Sequence, residues 1–147
     1  FDYLIIKGVL HHTKNPTKIL SQLKRYLKKD GAIIISEPNL SSILGNLLKW
    51  FFRYFFNYSM ETSPYGQYSY EKISSSVKRA KLRIEKKWYS VLILLPLSGN
   101  YGRIKILPDN LILFKIFIIV EDFFYKIFNL LNLTKFLNFK LNLIVKK

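Results

Sequence analysis

Two histidines and one glutamate are the side chains of this sequence best suited to proton transfer or substrate binding. His11 and His12 follow the apolar run 4–6, and Glu37 follows the apolar run 32–36. A neutral imidazole can act as a general base toward a hydroxyl group, and a carboxylate can bind a polar substrate. Each also has a structural alternative, as a polar turn residue or as the cap of a neighbouring element. The sequence leaves these alternatives open, and it identifies no catalytic residue.

The segments around these residues predict a βαβ unit. The apolar run 4–6 is typical of a buried strand, and so is the run 32–36. Between them, Asn15 and Pro16 supply the N-cap and the first residue of a helix, and Gly31 is predicted to end it. The helix carries one apolar stripe, formed by Ile19, Leu20, Leu23, Tyr26 and Leu27. A helix this short between two buried strands predicts parallel strands and a right-handed crossover.

Polar turns follow both predicted strands. Residues 8–13 follow the first strand, and residues 37–39 follow the second. In open α/β sheets, ligands bind beyond the carboxyl ends of the strands. We therefore expect a binding rim at these two turns.

The remainder of the chain predicts further helices and strands. A helix capped by Ser41 or Ser42 extends to about residue 56, and Ser69 caps another helix. The predicted strands lie at about 82–92 and 139–145. The aromatic residues of 50–56, with Tyr58, Tyr65 and Tyr68, are interpreted as core, with a roof over an apolar ligand as the alternative.

A strongly apolar helix is predicted to follow the turn-rich segment 94–109. Asp109 and Asn110 cap it, and its polar residues lie on one narrow stripe: Lys115, Asp122, Lys126 and Asn129. Its uncharged runs fall short of the roughly 20 residues that span a bilayer. We expect a helix buried in the protein. Docking at a membrane surface is the alternative, because aromatic residues and basic charge suit an interfacial helix.

The composition is basic and lacks cysteine. The formal net charge is +15, from 24 Lys and Arg against 9 Asp and Glu, which favours anionic partners. The basic residues are scattered, and the aromatic residues lie on apolar faces rather than among the basic ones, so we do not expect nucleic-acid binding. The absence of cysteine excludes disulfides and a cysteine nucleophile. With two adjacent histidines and few carboxylates, we expect no metal site.

Four segments form a pattern when they are taken together: Phe1-Asp2, Gly8-Val9-Leu10-His11-His12, Leu27-Lys28-Lys29-Asp30-Gly31 and Glu37-Pro38. This pattern resembles the class I S-adenosylmethionine-dependent methyltransferases, and within them the small-molecule group that includes the quinone and sterol methyltransferases. The resemblance covers about residues 1–39 and continues weakly over 69–88. One departure is Ala80-Lys81-Leu82, where the family often has Ala-Gly-Phe.

The resemblance implies an α/β fold with a partial Rossmann-like methyltransferase sheet. It would contain the family's strands four to seven, with the last strand antiparallel, and added apolar helices. Residues 1–147 would then be the C-terminal portion of one methyltransferase domain, with a helical insertion at about 94–136. The family's glycine-rich loop and its acidic cofactor-binding residues belong to the preceding strands, so we expect this portion to be inactive alone.

The resemblance also implies methyl transfer from S-adenosylmethionine to a small, apolar or lipid-like acceptor. Gly8, Val9 and Leu10 would pass near the cofactor, and His11 would face the donor or acceptor pocket. We expect a cytoplasmic protein, with peripheral membrane contact as an open alternative. The sequence indicates neither the acceptor, nor the methylated atom, nor the oligomeric state.

Two other classes stay open at this point. The chain could be a noncatalytic remnant that serves as a binding module at a membrane surface. It could also belong to another Rossmann-like enzyme, such as a nicotinamide-dependent one. The His-His turn and the Glu-Pro strand end favour methyl transfer.

Overall fold

The computed structural model describes residues 1–57, 65, 69–91 and 111–147, without the side chains of Phe52 and Phe56. The strands are β1 (Tyr3–Lys7), β2 (Ala32–Pro38), β3 (Arg83–Ser90) and β4 (Lys140–Lys146). The helices are α1 (Pro16–Tyr26), α2 (Ile43–Phe56), α3 (Tyr70–Arg79), α4 (Leu111–Leu130) and α5 (Thr134–Leu137), and a short 3₁₀ helix covers Leu10–His12.

The chain forms two compact units. The first unit comprises Phe1–Leu40, Ser63–Tyr89 and Lys140–Lys147 and contains the sheet except for Ser90, the last residue of β3. The second unit comprises Ser41–Thr62 and Ser90–Phe139 and contains α2, α4 and α5.

The sheet of the first unit has the strand order β1-β2-β4-β3. Strand β1 is parallel to β2, with a register that runs from Tyr3 opposite Ala32 to Lys7 opposite Ser36. The predicted βαβ arrangement is therefore confirmed as to strand direction. Strand β4 is antiparallel to β2, with Pro38 opposite Lys140, as was expected for the last strand.

Helices α1 and α3 pack on one face of this sheet. The core contains alternate residues of three strands together with apolar residues of both helices. Its fully buried members are Leu10, Leu20, Ile33, Ile35, Ile73, Val77, Leu141, Leu143 and Val145. Both helices thus present the apolar side that the spacing of their residues predicts.

The opposite face of β1 is exposed. Tyr3 and Ile5 are 68% and 72% exposed, whereas Ile6 is buried. The prediction of a strand here is confirmed, but the prediction of a fully buried strand is wrong. Because side chains alternate along a strand, the core formed with α1 and α3 takes up only every second residue of β1.

The start of α1 is as predicted, and its end is not. The Asn15 side chain accepts a hydrogen bond from the Lys18 N–H at 3.0 Å, and Pro16 is the first helical residue. The helix ends at Tyr26, where Leu27 turns into an extended conformation. Gly31 therefore does not end the helix. A Cβ at Gly31 would lie 2.9 Å from the Phe1 carbonyl oxygen, so glycine allows two backbone segments to approach closely.

Two other predicted caps are present. The Ser42 hydroxyl accepts from the Gly45 N–H at 2.9 Å at the start of α2, and Ser69 accepts from the Lys72 N–H at 3.3 Å at the start of α3. Segment 94–109, with the predicted cap Asp109, and also Asn110 lie outside the described residues. Helix α4 begins at Leu111, and none of its residues is buried. The prediction of a buried helix is wrong.

The reason lies in what is available to cover α4. A helix of 20 residues is about 30 Å long. The described element that packs against it, α5, has four residues and also contacts α2. The four aromatic residues of α2 whose side chains are described, Trp50, Phe51, Tyr54 and Phe55, are likewise exposed, so the core interpretation fails for them too. Tyr65 is also exposed, and Tyr58 and Tyr68 lie outside the described residues.

Candidate functional site

The turn after β1 contains the residues that the sequence predicts for a binding site. Gly8 has a φ of 64°, a conformation that favours glycine, and its N–H donates to the Ser36 carbonyl at 2.8 Å. The 3₁₀ helix Leu10–His12 follows at once. Thr13 closes it, because both its N–H (2.9 Å) and its hydroxyl (2.7 Å) donate to the Leu10 carbonyl. The turn therefore has a defined backbone path from the strand to α1.

The Glu37 carboxylate holds this turn in place. Its Oε1 accepts from the backbone N–H groups of Val9 (3.0 Å) and Leu10 (2.8 Å), and its Oε2 lies 2.6 Å from His11 Nδ1. Glu37 is 1% exposed. A buried carboxylate needs such partners, because an ion without them is costly to bury. These contacts give Glu37 a structural role: it caps the turn that follows β1, and not the helix α2 that follows Glu37 in the chain.

The contact with Glu37 fixes the orientation of the His11 ring. A carboxylate is an acceptor, so we assign the proton of this contact to His11 Nδ1, which leaves Nε2 as the ring's acceptor nitrogen. His11 is buried and His12 is exposed, with their ring centroids 4.0 Å apart. A carboxylate-oriented imidazole is an arrangement that can take up a proton at Nε2.

Lys140 places a basic group near this carboxylate. It lies opposite Pro38 on β4, one residue beyond Glu37 in the β2 strand. Burial lowers the pKa of the Lys140 ammonium, the Glu37 carboxylate raises it in part, and Lys7 lowers it further. Sequence analysis did not single out Lys140. Its position at the start of a predicted strand was known, but that position does not indicate which residues lie next to it in the fold.

The four residues predicted to lie near a cofactor therefore form one turn, but their side chains differ in access. Val9 is 48% exposed, while Leu10 is fully buried and belongs to the core. Gly8 has no side chain, and an added Cβ would meet His11 Cε1 at 3.8 Å, an ordinary contact distance. Among these four residues, Val9 is exposed and Gly8 is partly exposed, whereas Leu10 and His11 are buried.

The amides of the turn are used within the protein. Those of Gly8, Val9 and Leu10 donate to the Ser36 carbonyl and to Glu37. A cofactor at this turn would therefore meet close-packed, mainly apolar surface. The residues present fit such a contact. They do not supply the acidic groups that would hold the hydroxyls of a ribose.

Within residues 1–57, 65, 69–91 and 111–147, no three His, Cys, Asp or Glu side chains are grouped so that they could hold a metal ion. A surface hollow of about 340 Å³ is lined by Ile19, Gln22, Leu23, Arg25 and Tyr26, all of α1. The predicted site residues do not line it.

The β1–α1–β2 unit and the antiparallel strand beside it define a mixed α/β protein, with a buried carboxylate–imidazole pair at its strand ends. A family model described as a methyltransferase domain matches residues 1–93, which is more than half of the chain. The chain belongs to this family of methyltransferase domains.

One relative shares a shorter stretch. An uncharacterised protein of Methanocaldococcus jannaschii is 40% identical to the chain over 47 residues, which is 32% of this chain and 23% of the relative. The chain thus matches about a quarter of that protein's length. That protein is itself uncharacterised, so the relative adds nothing about function.

Proposed function

We propose that the chain is part of an enzyme that transfers a methyl group from S-adenosylmethionine to a small, apolar acceptor. The observation that carries this proposal is the match of the methyltransferase family to residues 1–93, which include the whole Glu37-held turn. The family generally uses S-adenosylmethionine. The resemblance of the turn to class I enzymes of the quinone and sterol group supports the finer assignment.

The strand arrangement supports a C-terminal portion of such a domain. The resemblance implies strands four to seven with an antiparallel last strand, and β4 is antiparallel to β2 and lies between β2 and β3. On this proposal, the segments that hold the ribose and the methionine end of the cofactor are supplied by other strands of the complete domain. Residues 1–147 would then contribute one wall of the pocket.

The residues of this chain would contribute mainly by contacting and orienting the cofactor and the acceptor. When bound, the cofactor supplies an electrophilic methyl group on a sulfonium, and the enzyme aligns it with a nucleophile and excludes water. Gly8 and Val9 would contact the cofactor, while the buried Leu10 anchors the turn. His11, oriented by Glu37, would accept a proton at Nε2 if the acceptor is a hydroxyl.

Calorimetric titration with S-adenosylhomocysteine tests the proposal on the complete protein that contains this chain. We expect saturable binding, which the Val9→Tyr variant weakens at least tenfold because the larger side chain obstructs the exposed side of the turn. The matched control is Ile43→Tyr, a β-branched residue of similar exposure that lies on α2. No binding by the unaltered protein would refute the proposal and favour a noncatalytic remnant. An equal loss of affinity in both variants would refute the proposal that the turn after β1 contacts the cofactor.

A further inference from the structure

We propose that the second unit docks on the surface of an anionic lipid bilayer through two exposed apolar stripes. The α2 stripe consists of Ile43, Leu47, Trp50 and Tyr54, and the α4 stripe consists of Ile112, Ile116, Ile119, Phe123 and Leu130. This inference goes beyond the proposed function, and it stands on the second unit alone.

The α2 stripe faces solvent although its spacing is that of a core-facing helix side. Its residues follow one another at i, i+4, i+7 and i+11 and therefore share one face of the helix. All four are exposed, between 55% and 72%. Leu44 and Leu48 on another side are only partly exposed. The helix thus directs a continuous apolar face away from its own unit.

The α4 stripe repeats this arrangement on a longer helix. Its residues stand at i, i+4, i+7, i+11 and i+18, which again places them on one face. Their exposure lies between 50% and 82%. The less exposed residues of α4 are Phe117, Glu121, Tyr125 and Phe128, which share a different side. On an ordinary protein surface, exposed apolar residues are scattered singly, whereas here they form two continuous faces in one small unit.

The chemistry beside the stripes favours lipid headgroups as the partner. Trp50 and Tyr54 stack with ring centroids 5.5 Å apart, and such rings, apolar with one polar group, are enriched at membrane interfaces. Lys49 and Arg53 lie on the same helix, which contains no acidic residue. In α4, Lys115 lies on the same narrow polar stripe as Lys126, which pairs with Asp122 at 2.7 Å. Basic residues next to an apolar face complement anionic lipids.

The same features argue against the other occupants of an apolar surface. No helix in the part of the chain that the structure describes is long and apolar enough to cross a bilayer. A second copy would bring together two molecules that each carry a formal charge of +15. An anionic bilayer neutralises those charges while it covers the stripes.

Flotation with vesicles of phosphatidylcholine and phosphatidylglycerol tests the proposal on the full chain. We expect binding that Ile119→Gln/Phe123→Gln weakens about tenfold or more, because two apolar side chains of the α4 stripe are lost. The matched control is Tyr3→Gln/Ile5→Gln, which removes two apolar side chains that are at least as exposed, from the first unit, and should leave binding unchanged. Arg53→Gln should weaken binding about fivefold, since one cation near an anionic surface is lost.

The two tryptophans report which surface touches the lipid. Trp50 lies in the α2 stripe and Trp88 lies in β3 of the first unit. Trp88→Phe, which retains Trp50, should show a blue shift and quenching by brominated lipid, and Trp50→Phe should show neither. Circular dichroism checks that each variant is folded.

Several results would overturn the proposal. These are no vesicle binding by the unaltered chain, equal weakening by both double variants, or quenching confined to Trp88. Self-association that the α4 double variant abolishes, without any vesicle binding, would assign the stripes to a second copy instead. None of these measurements involves methyl transfer, so failure here leaves the proposed function untouched, and failure of cofactor binding leaves this inference untouched.

Discussion

At the scale of single residues, Glu37 determines the conformation of the candidate site. One carboxylate accepts two backbone N–H groups and contacts one imidazole, all from the turn that follows the neighbouring strand. Sequence analysis singled out both His11 and Glu37, because polar residues after apolar strands are conspicuous. It could not pair them, since no local signal specifies which residues of two adjacent turns meet. Lys140 was missed for the same reason, as it reaches the site from more than one hundred residues away.

Glu37→Gln should destabilise the first unit by about 2–3 kcal/mol. The amide is neutral, so the charge-assisted bonds to the Val9 and Leu10 amides weaken, and its NH₂ group would face His11 Nδ1 if the amide oxygen faces the backbone. Urea unfolding measures the change. Glu85→Gln is the matched control, because Glu85 forms an exposed ion pair with Lys146 at 2.9 Å and should contribute below about 1 kcal/mol. Similar losses in both variants would contradict the role assigned to Glu37.

Lys140 should make stability depend on pH in the alkaline range. Burial lowers its pKa in the folded protein from the ordinary value of 10.5. Between the folded and the unfolded pKa, the unfolded chain binds more protons, so this lysine's contribution to stability rises with pH there. Lys140→Arg stays protonated throughout this range. We therefore expect the unaltered chain to gain stability over Lys140→Arg as pH increases from neutral toward 10.5, measured by urea unfolding. If the difference in stability between the two proteins stays constant over this pH range, the pKa of Lys140 is not lowered in the folded protein.

At the scale of elements, local chemistry was sufficient to locate helices but not to say what covers them. Asn15, Ser42 and Ser69 each cap a helix where the sequence predicted one, because capping involves residues three positions apart. The burial of β1 and α4 was overestimated from their apolar composition. Burial depends on which other elements pack against a segment, and composition does not contain that information.

The C-terminus of α3 yields a prediction at this scale. Lys81 has a φ of 55°, and the N–H groups of Lys81 and Leu82 donate to the carbonyls of Lys78 and Val77, the pattern of a helix end that favours glycine. It is the position where the family often has glycine. Lys81→Gly should therefore stabilise the protein by about 1 kcal/mol.

Thermal or urea unfolding checks this value, and α4 provides the control. Asn132 occupies the equivalent position after α4, with a φ of 56°. Asparagine tolerates this conformation better than lysine, so Asn132→Gly should have a much smaller effect. A larger gain at Asn132 than at Lys81 would contradict the argument.

At the scale of the whole molecule, the two units differ in what they leave exposed. The first unit buries an ordinary core between its sheet and two helices. Of the large apolar side chains that the structure describes in the second unit, most are exposed to solvent. If the proposed methyl acceptor is dissolved in a membrane, the proposed docking of the second unit would bring the protein to that acceptor. The cofactor titration tests the proposed methyl transfer, and the vesicle experiments separately test the proposed lipid docking.

The position of β4 within the sheet has a consequence for how the chain folds during synthesis. Strand β3 neighbours β4 in the sheet, yet 49 residues separate the end of β3 from the start of β4. The β1–α1–β2 unit can assemble as soon as it leaves the ribosome, but β3 must wait until β4 has been translated. Closing this long loop is slow, since its entropy cost precedes any gain from strand pairing. The nascent chain therefore carries β3 without its partner strand while residues 91–139 are translated.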